Sequence, residues 1–229
     1  MGLERHLKSR LAGGRADLGL PGLRERVAGL VASAAPRRVL DVGAGQGALV
    51  SRLAAGGLDA WGVDPCVAGG GRVLRGRAEA LPFAPGRFDV VVSALVLHYL
   101  PDAARAIGEA RRVLAPGGRL VLADRVASEN PLLHELQERM ERFRNAYVAG
   151  LRTPRQIAGL LRRGAMRVEQ VFDHEESIAV DQWLAGLSAT QARRLRETLK
   201  AIGPADLGGL VFDGRAVRQR IRIWVARPG

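Results

Sequence analysis

The sequence predicts an α/β fold: a doubly wound, mostly parallel seven-stranded sheet with helices on both faces and a helical insertion after the fifth strand. Three observations carry this expectation. Short β-rich runs alternate with helical stretches from Arg38 to Ala123, as in strand–helix–strand crossovers. The run Val90-Val91-Val92 is apolar without alternation, which suits a central strand buried on both faces. Glycines gather at Gly43, Gly45 and Gly47 where the first strand ends, at the edge where a parallel sheet opens its ligand crevice.

The elements follow in order. Leu3, Leu7 and Leu11 recur at helical spacing before Gly13-Gly14, and Pro21 starts a second helix through Val27, Leu30 and Val31. Arg38 to Val42 reads as the first strand, Ala48 to Ala55 as a helix, and Ala60 to Asp64 as the second strand. Arg72 to Arg75 makes the third strand and Phe88 to Ser93 the fourth. Ala103 to Leu114 is a helix, and Gly118 to Ala123 is the fifth strand after the turn Pro116-Gly117-Gly118. Beyond Val126, Leu132, Leu133, Leu136, Met140 and Phe143 fall on one helical stripe with Glu and Arg opposite, and Thr153 caps a further helix that has Pro154 at its first position. Strand character returns at Met166 to Phe172 and Ile221 to Val225, around helices at Val180 to Leu187 and Ala189 to Ile202 with Ser188 as a cap. We read one domain over 1–229: an N-terminal helical cap (1–35), a core (36–127), the helical insertion (128–164), and C-terminal strands and helices (165–229).

Composition narrows the function classes. The 229 residues carry 35 Lys+Arg against 23 Asp+Glu, a formal charge of +12, and 47% are hydrophobic, enough for a sizeable core. Cys66 is the only cysteine, which excludes an internal disulfide and a four-cysteine zinc site. The apolar stretch Val90 to Leu100 contains Ser93 and His98 and falls short of the roughly 20 residues of a membrane span. The N-terminus lacks a signal-type apolar segment, so a cytoplasmic location is expected. Lysine occurs only at Lys8 and Lys200, so the positive charge is almost all arginine beside abundant Gly and Ala, as a GC-rich genome produces. The charge attracts polyanions in general without naming one, and a nucleic-acid partner is not favoured.

The stretch Asp41-Val42-Gly43-Ala44-Gly45-Gln46-Gly47 is the most informative. A strand running through Gly-x-Gly-x-Gly into a helix brings backbone close to a ligand, and Asp64, ending the next strand, can accept hydrogen bonds from both hydroxyls of a ribose. Gly43, Gly45 and Ala48 also satisfy a dinucleotide fingerprint. Asp41 discriminates: its carboxylate would repel a pyrophosphate and suits a cationic ammonium.

These residues resemble motif I of the class I S-adenosylmethionine-dependent methyltransferases, with Asp64 at the acidic motif II position. Arg77-Ala78-Glu79-Ala80-Leu81-Pro82-Phe83 is similar to their "DAExLPF" segment, Phe88 to Ser93 to the fourth strand, Leu97-His98-Tyr99-Leu100 to "LHHL", and Glu109 to Gly118 to "EAxRVLKPGG". The matches run in order over about residues 38 to 125. The resemblance implies a Rossmann-like fold, S-adenosylmethionine as cofactor, and a cofactor site at Asp41, Gly43, Ala44, Gly45, Gly47, Asp64, Pro65, Arg77, Ala78, Glu79 and Ser93. Arg77 departs from the family's Asp, which accepts a hydrogen bond from the adenine amino group. Arg cannot accept one, which leaves backbone near Arg77 and Ala78, or Glu79, to do so.

Methyl transfer from a sulfonium is an in-line displacement in which positioning carries most of the rate. His98, after the fourth strand, is the best-placed titratable group and the candidate catalytic base. No Asn/Asp-Pro-Pro-aromatic segment follows that strand, where Ser93-Ala94-Leu95-Val96 stands instead, which disfavours base N-methylation. Asp102, Glu135, Glu175 and Glu176 have no metal-site spacing, so no metal is expected. The N-terminal helices and the insertion, with Met140, Phe143 and Tyr147, are expected to bind a small-molecule substrate, anionic or lipid-like. The alternatives are an RNA or protein methyltransferase that uses the basic surface, or a non-catalytic cofactor-binding protein.

Overall fold

The computed structural model describes residues 20–207 and 209–229. The expected helix around Leu3, Leu7 and Leu11 lies outside them. The elements are α1 (Pro21–Ala32), β1 (Arg38–Val42), α2 (Ala48–Ala55), β2 (Asp59–Asp64), β3 (Val73–Arg75), β4 (Phe88–Ala94), a 3-10 turn (Leu97–Tyr99), α3 (Ala103–Val113), β5 (Leu114–Arg125), α4 (Pro131–Arg144), α5 (Pro154–Arg163), β6 (Met166–Ala179), α6 (Val180–Trp183), α7 (Ala189–Ile202), β7 (Ala205–Asp206), β8 (Leu210–Phe212) and β9 (Ala216–Pro228).

The sheet runs β3-β2-β1-β4-β5-β9-β8-β7, with β6 on the other edge of β9. The β3-β2-β1-β4-β5 half is parallel, and β9 lies antiparallel to β5, β6 and β8. Seven strands, β3-β2-β1-β4-β5-β9-β6, form the expected sheet, and the β7–β8 hairpin extends it. The extension exists because β9 is longer than β5. Arg125 pairs with Ile221 at the end of β5, and further along the same edge Leu210 of β8 pairs with Gln219. β6 and β9 therefore rise past the carboxyl ends of the parallel strands as an antiparallel wall. Their sequences contain Glu175, Arg218 and Arg220 where the sequence pattern showed no strand, because cross-strand ion pairs such as Arg220–Glu175 (3.2 Å) and Arg222–Asp173 (2.6 Å) hold the outer face.

Alternation along the strands sorts side chains into two apolar layers. Val39, Val90, Val92, Val121 and Ala123 pack with α1, α2 and α7 on one face. Leu40, Phe88, Val91, Leu120 and Leu122 pack with α3 and α5 on the other. Thr153 and Ser188 cap their helices as the sequence indicates, and Asp102 and Asn130 are caps it did not single out. Thr153 with Gln156, and Ser188 with Gln191, form capping boxes, and Asp102 accepts from Arg105 N. The amino end of α1 is capped from far away, with Gly22 N and Leu23 N donating to the Glu176 carboxylate of β6 at 3.2 and 3.1 Å. That carboxylate anchors α1 beside the wall.

Helix α4 is rolled relative to expectation. Leu132 is 77% and Phe143 38% exposed, whereas Gln137 and Glu141 are buried with Met140. The reason lies in β5, whose last residue, Arg125, buries a guanidinium that needs a carboxylate opposite it. Asp89 likewise sits away from the crevice. It accepts from Arg37 N and Arg38 N and pairs with the Arg38 guanidinium at 2.7 Å, at the amino end of β1.

Candidate cofactor and acceptor site

The glycine loop is shaped first by its own protein. Gly43, Gly45 and Gly47 have φ of +79°, +54° and +82°, the left-handed region that side chains disfavour. A Cβ on Gly43 would lie 2.2 Å from Val96 Cγ2, and one on Gly47 2.7 Å from Val73 Cγ2. At these two positions glycine makes room for the protein's own side chains, a reason the sequence did not disclose. Gly43 N and Ala44 N donate to Val63 O at 2.7 and 3.1 Å, clipping the loop to the end of β2.

Two carboxylates flank this loop. Asp64 accepts from Gly45 N at 2.9 Å and Cys66 N at 2.8 Å, one bond on each oxygen. Each oxygen keeps a second lone pair for a ligand hydroxyl. Asp41 is 5% exposed and its carboxylate meets no hydrogen-bond donor among the described residues. Burial, and secondarily the charge of Asp64, push its carboxyl up to about 7. A buried, unpartnered acid beside an open-lone-pair carboxylate fits a ligand that has both hydroxyls and a cationic centre, and it opposes a pyrophosphate. Pro65 and Ser93 are half-buried at the ends of β2 and β4, and Leu95 just beyond has φ +60°. Non-glycine residues in that region cost of order 1 kcal/mol or more and concentrate at functional sites.

Arg77 is exposed and points its Nε to Glu79 at 3.6 Å, while Ala78 between them is buried. The Glu79 carbonyl accepts from Arg105 Nε at 2.8 Å. Glu79 is thus held beside a cation, and the Arg77–Ala78–Glu79 segment is fixed by α3.

His98 is placed otherwise than a free base requires. It is 2% exposed. Its Nδ1 lies 2.6 Å from Asp124 Oδ1, its backbone N donates to Asp124 Oδ2 at 3.1 Å, and Nε2 lies 2.6 Å from Arg125 Nη2. Since a guanidinium can only donate, Nε2 is the acceptor and Nδ1 carries the proton to Asp124. Burial, and then the charge of Arg125, lower the imidazole's pKa and keep it neutral. Neither ring nitrogen is available to a substrate, so the expectation of a catalytic base at His98 is corrected to a positioning residue. The ring bridges side chains from both faces of β5 and pins the 3-10 turn above it. The network continues through α4. Arg125 Nη1 lies 2.8 Å from Glu141 Oε2, and Arg144 Nη2 reaches the same oxygen at 2.7 Å. Arg144 in turn lies over the Trp183 ring, 5.2 Å from its centroid. Sequence reasoning missed Asp124, Arg125 and Glu141. The available signal was an Asp-Arg pair ending an apolar strand, at the position where Asp64 ends β2.

Comparison with known proteins agrees with this geometry. Residues 40–122 match the model of a methyltransferase domain, and those residues hold both carboxylates and the glycine loop. The matched core resembles a methyltransferase domain. An uncharacterized methyltransferase of Mycobacterium tuberculosis is 45% identical over 98 residues, covering 39% of this chain and 40% of that protein. A demethylmenaquinone methyltransferase of Thermus thermophilus is 38% identical over 116 residues, covering 44% of this chain and 53% of the relative. The chain thus spans about half or less of the length of these curated relatives. Among solved structures, a Bacillus halodurans methyltransferase superposes with a TM-score of 0.75 at 25% identity, covering 88% of this chain and 97% of that one. The methyltransferase fold therefore extends past the matched core into the antiparallel wall. No helix among the described residues is long and apolar enough to cross a membrane.

Proposed function

We propose that this methyltransferase moves a methyl group from S-adenosylmethionine to a small-molecule acceptor. The observation that carries the reading is the pairing of Asp41, buried and without a donor among the described residues, with Asp64, whose two oxygens are aligned by Gly45 N of the glycine loop and by Cys66 N. The cofactor supplies an electrophilic methyl on a sulfonium. The chain's residues bind and orient. Asp64 takes the ribose hydroxyls, Asp41 faces the cationic centre directly or through water, and the Arg77 to Glu79 segment flanks the adenine. His98 is fixed by Asp124 and Arg125 and holds the turn after β4, which keeps Leu95 and Val96 against the loop. An acceptor held beyond the carboxyl ends of the parallel strands would be oriented there for in-line attack. The Burkholderia thailandensis 1,6-didemethyltoxoflavin-N1-methyltransferase, solved with that compound and S-adenosylhomocysteine, shares the fold at a TM-score of 0.60 and 18% identity.

Labelled S-adenosylmethionine incubated with the protein and a cell extract tests the reading: label in the small-molecule pool is expected, and label confined to RNA or protein would refute it. Asp64→Ala is expected to weaken S-adenosylhomocysteine binding by about 10- to 100-fold by calorimetry, since hydrogen bonds to a charged group contribute about 1.5–3 kcal/mol. A second expectation concerns pH. With its carboxyl raised to about 7, Asp41 is partly protonated in the free protein at neutrality, and a cationic ligand favours the carboxylate. S-adenosylmethionine affinity is therefore expected to fall as pH drops below about 7, with proton release on binding, and Asp41→Asn should flatten that dependence. Equal proton release from Asp41→Asn and the parent would contradict it.

A further inference from the structure

Where β5 ends and β8 takes its place beside β9, a small cleft opens between α4 and the wall. Arg125, Gln137, Glu141 and Gln219 supply its polar lining, and Met140 and Leu210 its apolar sides. Its enclosed centre has room for one water-sized group, and about 320 Å³ of empty space surrounds it toward solvent. Arg125 is 5% exposed; its Nη1 faces Glu141 Oε2 at 2.8 Å, while its Nε has no hydrogen-bond acceptor among the described residues. Gln137 and Gln219, at 4% and 3% exposure, are buried polar side chains on the same cleft. Gly209 completes it. A Cβ there would lie 2.0 Å from Val126 O and 2.7 Å from Gln137 Nε2, so only glycine lets the hairpin close to this depth.

We infer that this cleft is an acceptor subsite that takes a neutral carbonyl oxygen, with Arg125 as donor and the two glutamines beside it. A buried N–H without an acceptor, here that of Arg125 Nε, requires an oxygen. Charge balance selects a neutral one. Arg125 and Arg144 are offset by Asp124 and Glu141 with His98 neutral, and half-buried Arg152, which feels both Asp124 and Glu138, adds no clear excess. An added carboxylate would be a further buried charge without its own cation. The cleft's size admits the oxygen at its centre and leaves an apolar body in the open part against Met140 and Leu210. As an acceptor subsite the inference rests on the proposed methyl transfer, and its location beyond the carboxyl end of β5, joined to the β4 turn through His98, places it on the crevice side of the sheet.

The test uses the full chain saturated with S-adenosylhomocysteine. Absence of binding heat for that ligand would count against the methyltransferase reading itself. With it bound, cyclohexanone, cyclohexanecarboxylate and methylenecyclohexane are titrated while the side-chain amide resonances of Gln137 and Gln219 and the Arg125 Nε–H are followed by NMR. Cyclohexanone is expected to bind at least tenfold more tightly than the other two and to shift all three signals. Gln219→Met, which keeps volume and removes the amide, should weaken cyclohexanone at least threefold with S-adenosylhomocysteine affinity unchanged within twofold. Equal affinities for the three probes, ketone binding indifferent to Gln219→Met, or a held water that the ketone does not displace would overturn the subsite.

Discussion

Glu141→Gln is expected to lower the melting temperature by about 10 °C. The substitution keeps volume but removes one acceptor oxygen and the counter-charge that Arg125 and Arg144 share at 2.8 and 2.7 Å, all three side chains being 7% exposed or less. Breaking a buried pair from one side costs about 3–5 kcal/mol because the remaining charge is stranded. A domain of this size loses roughly 2–4 °C per kcal/mol. Acid should reproduce the single variant's effect. Although burial alone would raise it, Arg125 and then Arg144 pull the Glu141 carboxyl down to about 2. Its folded value lies below the unfolded one near 4.5, so its contribution is complete above pH 4.5 and disappears between there and pH 2. Thermal unfolding followed by circular dichroism at several pH values measures both. A shift under 2 °C in Glu141→Gln would show that the network does not brace α4 against β5.

Gly43→Ala should reduce S-adenosylhomocysteine affinity by at least roughly 100-fold. Two costs combine. The φ of +79° is unfavourable for alanine, costing of order 1–3 kcal/mol, and the new Cβ would lie 2.2 Å from Val96 Cγ2, so loop or turn must move by more than an ångström. Because Gly43 N and Ala44 N are tied to Val63 O, movement also disturbs the Gly45–Asp64 bond. Adding Val96→Ala removes the overlap without relieving φ, and is expected to restore about tenfold. Gly57→Ala is the control: φ is +86° but nothing lies within 4 Å of the added Cβ, so strain there should leave ligand binding intact. Calorimetric titration of the three variants separates clash from backbone strain, and unchanged affinity in Gly43→Ala would mean the loop does not form the ligand cradle.

Local chemistry was legible from residues close together in the chain. The parallel half of the sheet, the glycine loop and the Asp41 and Asp64 positions follow from short-range patterns: apolar runs of strand length, glycines at strand ends, caps before helices. These are decided within a few residues, and the structure places the elements where those patterns lie. The Leu132 to Phe143 stripe misled because apolarity was the only criterion, while α4 turns Glu141 inward to meet an arginine sixteen residues earlier.

The alternating strand–helix core and the glycine loop with Asp41 and Asp64 beside it are thus written in the local sequence. Tertiary structure alone decided three things. His98 is consumed by Asp124 and Arg125, because ring nitrogens are assigned by partners that come from another strand. Gly43 and Gly47 yield to Val96 and Val73, because steric need depends on what folds back against the loop. The β7–β8 hairpin continues the edge of β9 after β5 stops, because pairing depends on the relative lengths of strands nearly a hundred residues apart, which no local pattern encodes.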